Sequence, residues 1–212
     1  MKVRFTLVAE GSTDEALMPI LRWAIRSDRR VKEIEAQFAP PAFLPPAREG
    51  LTAKIRRAID LYPADLLFVH RDADTAGIEV RRAEILSAVE QAGRTLSAVP
   101  VVPVRMTEAW LLIDEAAIRM AADNPAGTMS LGLPPRIAAF EDKADPKTLL
   151  YQALAAACGQ RGRRLARFLP HTRTSLVANR IEDFASLRQL SAFRAFEQAL
   201  KIALDNLAGS AR

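Results

Sequence analysis

The sequence predicts an α/β protein: a mostly parallel sheet between helices, followed by a helical C-terminal extension. Three observations carry that expectation. Short strand-like runs alternate with amphipathic helical stretches through residue 104. The run Asp65-Leu-Leu-Phe-Val-His70 is continuously apolar between its two end residues, as a strand buried on both faces requires. From Thr107 onward the chain offers no convincing strand, only Ala- and Leu-rich helical stretches broken by NPAG, GLPP and ADPK.

Each element has its own signal. Residues 3–9 (VRFTLVA) are rich in β-branched and aromatic side chains and read as the first strand. A Gly follows, then a capping sequence at Ser12 or Thr13 with acids in the first turn, so a helix is expected over about 13–27. Its apolar positions Ala16, Leu17, Ile20, Leu21, Ala24 and Ile25 recur at helical spacing. A short strand over roughly 33–39 leads into a connector containing the pairs Pro40-Pro41 and Pro45-Pro46, which no regular element accommodates. Residues 50–61 form an amphipathic helix ahead of the buried strand 65–70. A charged helix over about 78–92 ends at Gly93, a C-cap residue, and 97–104 (SAVPVVPV) supplies a further strand whose prolines place it at a sheet edge. The expected organisation is an α/β domain over 1–115 and a helical, basic extension over 116–212.

Composition narrows the function classes. Half of the 212 residues are apolar, enough for a substantial core. The formal net charge of +5 is unevenly spread: residues 1–115 hold 16 basic and 17 acidic side chains, residues 116–212 hold 14 and 8. Cys158 is the single cysteine, which forbids an intramolecular disulfide, and with only His70 and His171 a structural zinc lacks its ligands. The start MKVRFTLVAEG has no small-residue cleavage site, and no segment approaches 18 uncharged apolar residues. A cytoplasmic protein without a membrane partner is the expectation.

The chemistry-bearing residues sit at strand ends. Glu10 follows the first strand, Asp14 falls in the first turn of the next helix, and Asp72 and Asp74 follow the strand that ends at His70. In an open parallel sheet the carboxyl edge is where ligands bind, so these four converge on one crevice. Convergent carboxylates repel, and an oxygen-liking divalent cation, Mg²⁺ or Mn²⁺, is the usual reason to tolerate that. Each motif has a plainer reading when taken alone: Asp-x-Asp as a solvated turn, Asp14 as a helix-start acid. Glu108, beyond the strand at 97–104, reaches the same edge as a further metal ligand, or else complements a helix N-terminus.

Glu10-Gly-Ser-Thr-Asp14 and Asp72-Ala-Asp-Thr-Ala-Gly77 resemble the signature of the TOPRIM family, E-G-x-x-D after the first strand and a later D-x-D-x-x-G. The resemblance covers about the first 115 residues. The family includes primases, topoisomerases, a ribosomal-RNA maturase and the OLD-type nucleases, which use this acidic cluster to bind Mg²⁺ for phosphoryl transfer on nucleic acid. The stretch Pro103-Val-Arg-Met-Thr-Glu-Ala-Trp-Leu-Leu112, with Asp145-Pro-Lys147, is also similar to a small bacterial group of TOPRIM-like proteins of unknown function. By the resemblance to OLD-type nucleases, Glu10, Asp72, Asp74 and Lys147 are catalytic, and Glu10, Asp14, Asp72, Asp74 and Glu108 hold the metal. Lys143 is the other candidate for the lysine. Asp145-Pro146 is also a good N-cap followed by Pro at the first helical position, which makes Lys147 an ordinary first-turn residue.

Two further features bear on the partner. From Pro146 to Ile181 the chain has Lys147, Arg161, Arg163, Arg164, Arg167, Arg173 and Arg180 and no acid. If 160–168 is helical, Arg163, Arg164 and Arg167 cluster at a spacing suited to successive phosphates, so nucleic acid, DNA or RNA, is the expected partner; the plainer reading is a solubilising face. Trp110 reads as core packing, and His70 as a positioning residue more than a general base. With only Tyr62 and Tyr151, and no room for strand-passage or template-handling domains, topoisomerase and primase activities fit less well than phosphodiester hydrolysis. The chain lacks a P-loop, so an OLD-like system would need a separate ATPase subunit. The competing classes are a non-catalytic TOPRIM-like module that binds nucleic acid or an ATPase, and a small-molecule phosphatase or nucleotidyl enzyme.

Overall fold

The computed structural model describes residues 1–93 and 96–210. Four strands, β1 (Lys2–Val8), β2 (Glu33–Ala39), β3 (Leu66–His70) and β4 (Ser97–Val101), form one parallel sheet in the order β2-β1-β3-β4. Helices α1 (Met18–Arg26), α2 (Gly50–Leu61) and α3 (Ile78–Gln91) make the crossovers. The chain moves outward from β1 to β2, then returns past β1 to β3. The strand order therefore reverses between β1 and β3, and a crevice opens at their carboxyl ends.

Alternation along the strands assigns each side chain to a face. Phe5, Leu7, Phe68, Val99 and Val101 pack with α1 in the larger core; Val8, Leu67 and Val69 pack with Ile55 and Ala58 of α2 and Ile85 and Ala88 of α3 in the smaller one. Every residue of β3 is buried, which accounts for its unbroken apolar run. β4 is an edge strand and tolerates Pro100, whose missing N–H would break a ladder in the interior. The other edge, β2, carries Glu33 and Glu35, both paired with Lys2, and charge on an edge discourages pairing with other chains.

Residues beyond 115 form α4 (Glu115–Ala121), α5 (Pro146–Ala157), α6 (Gly162–Arg167), α7 (Thr174–Arg180) and α8 (Ser191–Ser210). Except for α6, which has no buried residue, they share the larger core with the sheet and α1. Aromatic contacts join them: Phe68 of β3 lies 5.1 Å edge-on from Phe5 and 6.0 Å from Phe196 of α8. Phe196 and Phe193 in turn lie 5.9 and 5.3 Å from Trp110. Trp110 is fully buried, so its ring is core packing and offers no stacking surface. Among the described residues no helix is long and apolar enough to cross a membrane.

Local differences from the sequence expectation have simple causes. The first helical stretch begins as a 3₁₀ segment, Ser12–Leu17, and becomes α-helical only at Met18, with Pro19 in its first turn. Its cap is neither Ser12 nor Thr13: Asp14 Oδ2 accepts from the Gly11 N–H at 2.8 Å. The fourth strand stops at Val101, because Pro103 cannot donate to the ladder and Arg105 takes φ +69° to turn the chain.

Candidate active site

Two loops build the crevice. After β3 the chain runs on beside β4, with Arg71 N–H donating to Val101 O at 3.2 Å and Ala73 N–H to Pro103 O at 3.1 Å. Ala73 is buried in the smaller core, so Asp72 and Asp74 flank an anchored residue. Asp74 adopts φ +45° and Gly77 φ +89°, and the turn closes through Ala76 and Gly77 N–H donating to Ala73 O. Asp and Gly are the residue types that take such left-handed conformations at low cost. On the β4 side, the Arg105 turn leads into a 3₁₀ segment, Thr107–Trp110, that carries Glu108 into a buried position.

The carboxylates converge. Asp72 feels burial first, then the negative charges of Asp14, Glu10, Glu108 and Asp74, and these push its carboxyl up to about 8. Asp72 Oδ1 is buried and has no hydrogen-bond partner. Glu108 is likewise raised, by burial first and by Asp14 after it, against its own backbone N–H, Lys147 and His70, which lower it. The other four acids expected at the edge thus all act electrostatically on Asp72. Lys147, at the start of α5, stands close enough to Glu108 to act on it. Asp145 also caps that helix, accepting from Thr148 N–H at 2.8 Å, so Lys147 is both a first-turn residue and a neighbour of the cluster.

His70 is buried beneath the carboxylates. Its Nδ1 donates to Val101 O at 3.0 Å, and its Nε2 lies 3.2 Å from Thr107 Oγ1. Nε2 lies 3.5 Å from Asp72 Oδ1 and 3.8 Å from Asp14 Oδ2. The ring ties β3, β4 and the Glu108 turn together under the acids, a positioning role.

Two of the acids are already engaged. Glu10 pairs with Arg71, whose other side meets Glu84 Oε1 of α3 at 2.6 Å. Arg81 pairs with Glu84 at 2.9 Å and donates from Nε to the Asp72 carbonyl at 3.2 Å. Asp14 is turned to the Gly11 N–H. Among the described residues no group of three or more His, Cys, Asp or Glu side chains is arranged to hold a metal ion as it stands. The donor set nonetheless suits Mg²⁺ or Mn²⁺, being all carboxylate, with one buried oxygen unsatisfied. The Arg71–Glu84–Arg81 network escapes sequence reading, because Glu84 lies on a helix with no motif; the Arg81/Glu84 spacing of three was its only signal.

Arg163, Arg164 and Arg167 are exposed on Gly162–Arg167, and none pairs with an acid among the described residues. Arg164 and Arg167, with Phe168 and Arg173, line a groove of about 470 Å³. A cleft of about 720 Å³ beside α1 and α7 shares no residue with the carboxylate cluster. Comparison with protein-family models, curated proteins and solved structures returned no match.

Proposed function

We propose that the chain is a TOPRIM-like, metal-dependent nuclease that hydrolyses phosphodiester bonds in DNA or RNA. The observation that supports this reading most is that Asp72, at the point where strand order reverses, feels the charge of four other carboxylates while its Oδ1 is buried and unsatisfied. A structural role alone gives no reason to bury a carboxyl with an unsatisfied oxygen, since an unsatisfied acceptor of this kind costs roughly 1–3 kcal/mol.

In this reading Asp72, Asp74, Asp14, Glu108 and Glu10 hold one or two Mg²⁺ or Mn²⁺ ions. A bound divalent cation would supply Lewis acidity, lowering the pKa of a water and stabilising the leaving oxygen of an in-line displacement. The chain's own groups do the rest. His70 and Thr107 fix the cluster's floor through side-chain hydrogen bonds. Lys147 neutralises charge developing on the phosphoryl oxygens. Glu10, exposed enough to exchange partners, is released from Arg71 to serve as ligand or acid/base group. The exposed arginines of α6 bind backbone phosphates and contribute affinity without sequence choice.

One observation favours the second reading, a non-catalytic module that binds nucleic acid or a separate ATPase subunit: Arg71 already neutralises Glu10. Incubation with labelled single- and double-stranded DNA and RNA, in Mg²⁺, Mn²⁺ or EDTA, separates the two. The nuclease reading expects cleavage that requires metal and disappears in the Asp72→Ala, Asp74→Ala double variant. Tight, salt-dependent binding of the same strands with no cleavage by the wild type in either metal would favour the module.

A further inference from the structure

A second chemical environment adjoins the carboxylates. On the α2 side of Glu10 lies a cavity of about 260 Å³, lined by Ala9, Glu10, His70 and Arg71 from the strand ends and by Ala47, Gly50, Leu51 and Lys54 from the α2 side. It shares Glu10, His70 and Arg71 with the acidic cluster, so whatever fills it lies beside the cluster. Its charges differ from those of the cluster. Glu10 is neutralised by Arg71, and Glu84 by Arg71 and Arg81. That leaves Lys54, half-buried and without an acid partner among the described residues, as the uncompensated charge on the wall. A lysine loses hydration on partial burial, and an anion is the partner that restores the lost interaction.

We propose that this cavity is a phosphate-binding pocket, in which Lys54 and Arg71 hold a phosphate group of the nucleic-acid strand next to the one attacked at the carboxylates. The inference rests on the nuclease reading for its substrate class. The volume of about 260 Å³ accommodates a phosphate group. Once Glu10 turns to the cation, the Nε edge of Arg71 is freed for phosphate oxygens while Nη1 stays on Glu84, and Lys54 adds a point charge. A strand seated at both places is held against the carboxylates by contacts that do not themselves react, a form of substrate positioning.

The test reads binding separately from cleavage. The ¹⁵N-labelled protein is titrated with inorganic phosphate at constant ionic strength, following the backbone amides of residues 50–54 and 71, for the wild type, Lys54→Ala and Lys54→Arg. A saturable shift is expected at these amides, weakened about tenfold in Lys54→Ala, the loss of one charge-assisted contact, and largely kept in Lys54→Arg. Displacement of phosphate by a short strand bearing a 5′-phosphate, but not by the unphosphorylated strand, identifies a strand end; displacement by both identifies an internal diester; either supports the pocket. Displacement by neither overturns it as a strand subsite. Cleavage by the wild type with no phosphate-dependent shift at residues 50–54, or with the same shift in Lys54→Ala, overturns the pocket and leaves the nuclease reading intact. Lysine-dependent binding in a protein that cleaves nothing does the reverse.

Discussion

Asp72 carries a proton at neutral pH in the cation-free protein, because burial and four neighbouring carboxylates hold its carboxyl near 8 against an ordinary value of 3.8. The folded state therefore binds a proton that the unfolded chain has released, and stability falls as pH rises from about 4 to about 8. A shift of this size corresponds to a loss on the order of 5 kcal/mol across that window. Asp72→Asn, which keeps shape and removes the titration, is expected to flatten the decline, read as urea midpoints between pH 5 and 9. A midpoint that declines equally in wild type and variant would remove Asp72 as the cause. Lys147 and Glu108 belong to the same electrostatic group, whereas His70 acts through its bonds to Val101 and Thr107 and holds β3 and β4 in register under the acids.

At the scale of elements, β3 and its following loop concentrate the candidate chemistry, and they were the most legible part of the sequence. A strand buried on both faces must be apolar throughout, so its end is visible as the first charged residues, Arg71 and Asp72. Glu10 and Glu108 were legible for the same reason, since each follows the apolar run of a strand. The Arg71–Glu84 pair was not, because a helix surface residue shows its partner only once the crossover is folded. The 3₁₀ start at Ser12–Leu17 was hidden too: apolar spacing over six residues does not separate a 3₁₀ from an α-helical turn. α6 is short, with three exposed arginines and no buried residue, so its persistence owes little to packing. Arg163→Ala, Arg164→Ala and Arg167→Ala combined is expected to weaken oligonucleotide binding without unfolding the protein. The slope of log K against log salt should fall by about 2 to 3 in magnitude, near 0.7–0.9 per lost phosphate contact. An unchanged slope would return α6 to the role of a solubilising surface.

For the whole molecule, the C-terminal helices complete the core that the four-stranded sheet opens on its α1 face. Phe196 and Phe193 of α8 touch Phe68 of β3 and Trp110 beside Glu108, so the helix farthest along the chain braces both sides of the crevice. The sequence showed that residues beyond 115 are helical; it did not show which strand they cover, since helical periodicity identifies an apolar face and not its partner. Phe196→Ala is expected to cost about 3–5 kcal/mol, the usual penalty for emptying a buried aromatic site, measured by denaturant unfolding. A cost near zero would mean that α8 is not part of the cooperative unit.

The convergence of carboxylates on a divalent cation is tested most directly by calorimetric titration of Mg²⁺ at pH 7, in buffers of different protonation enthalpy. The cation must displace the proton on Asp72, so binding is expected with release of about one proton, and is expected to vanish in the Asp72→Ala, Asp74→Ala double variant. Mg²⁺ binding that releases no proton and survives the double variant, or no binding by the wild type at millimolar cation, would contradict a metal site at this sheet edge.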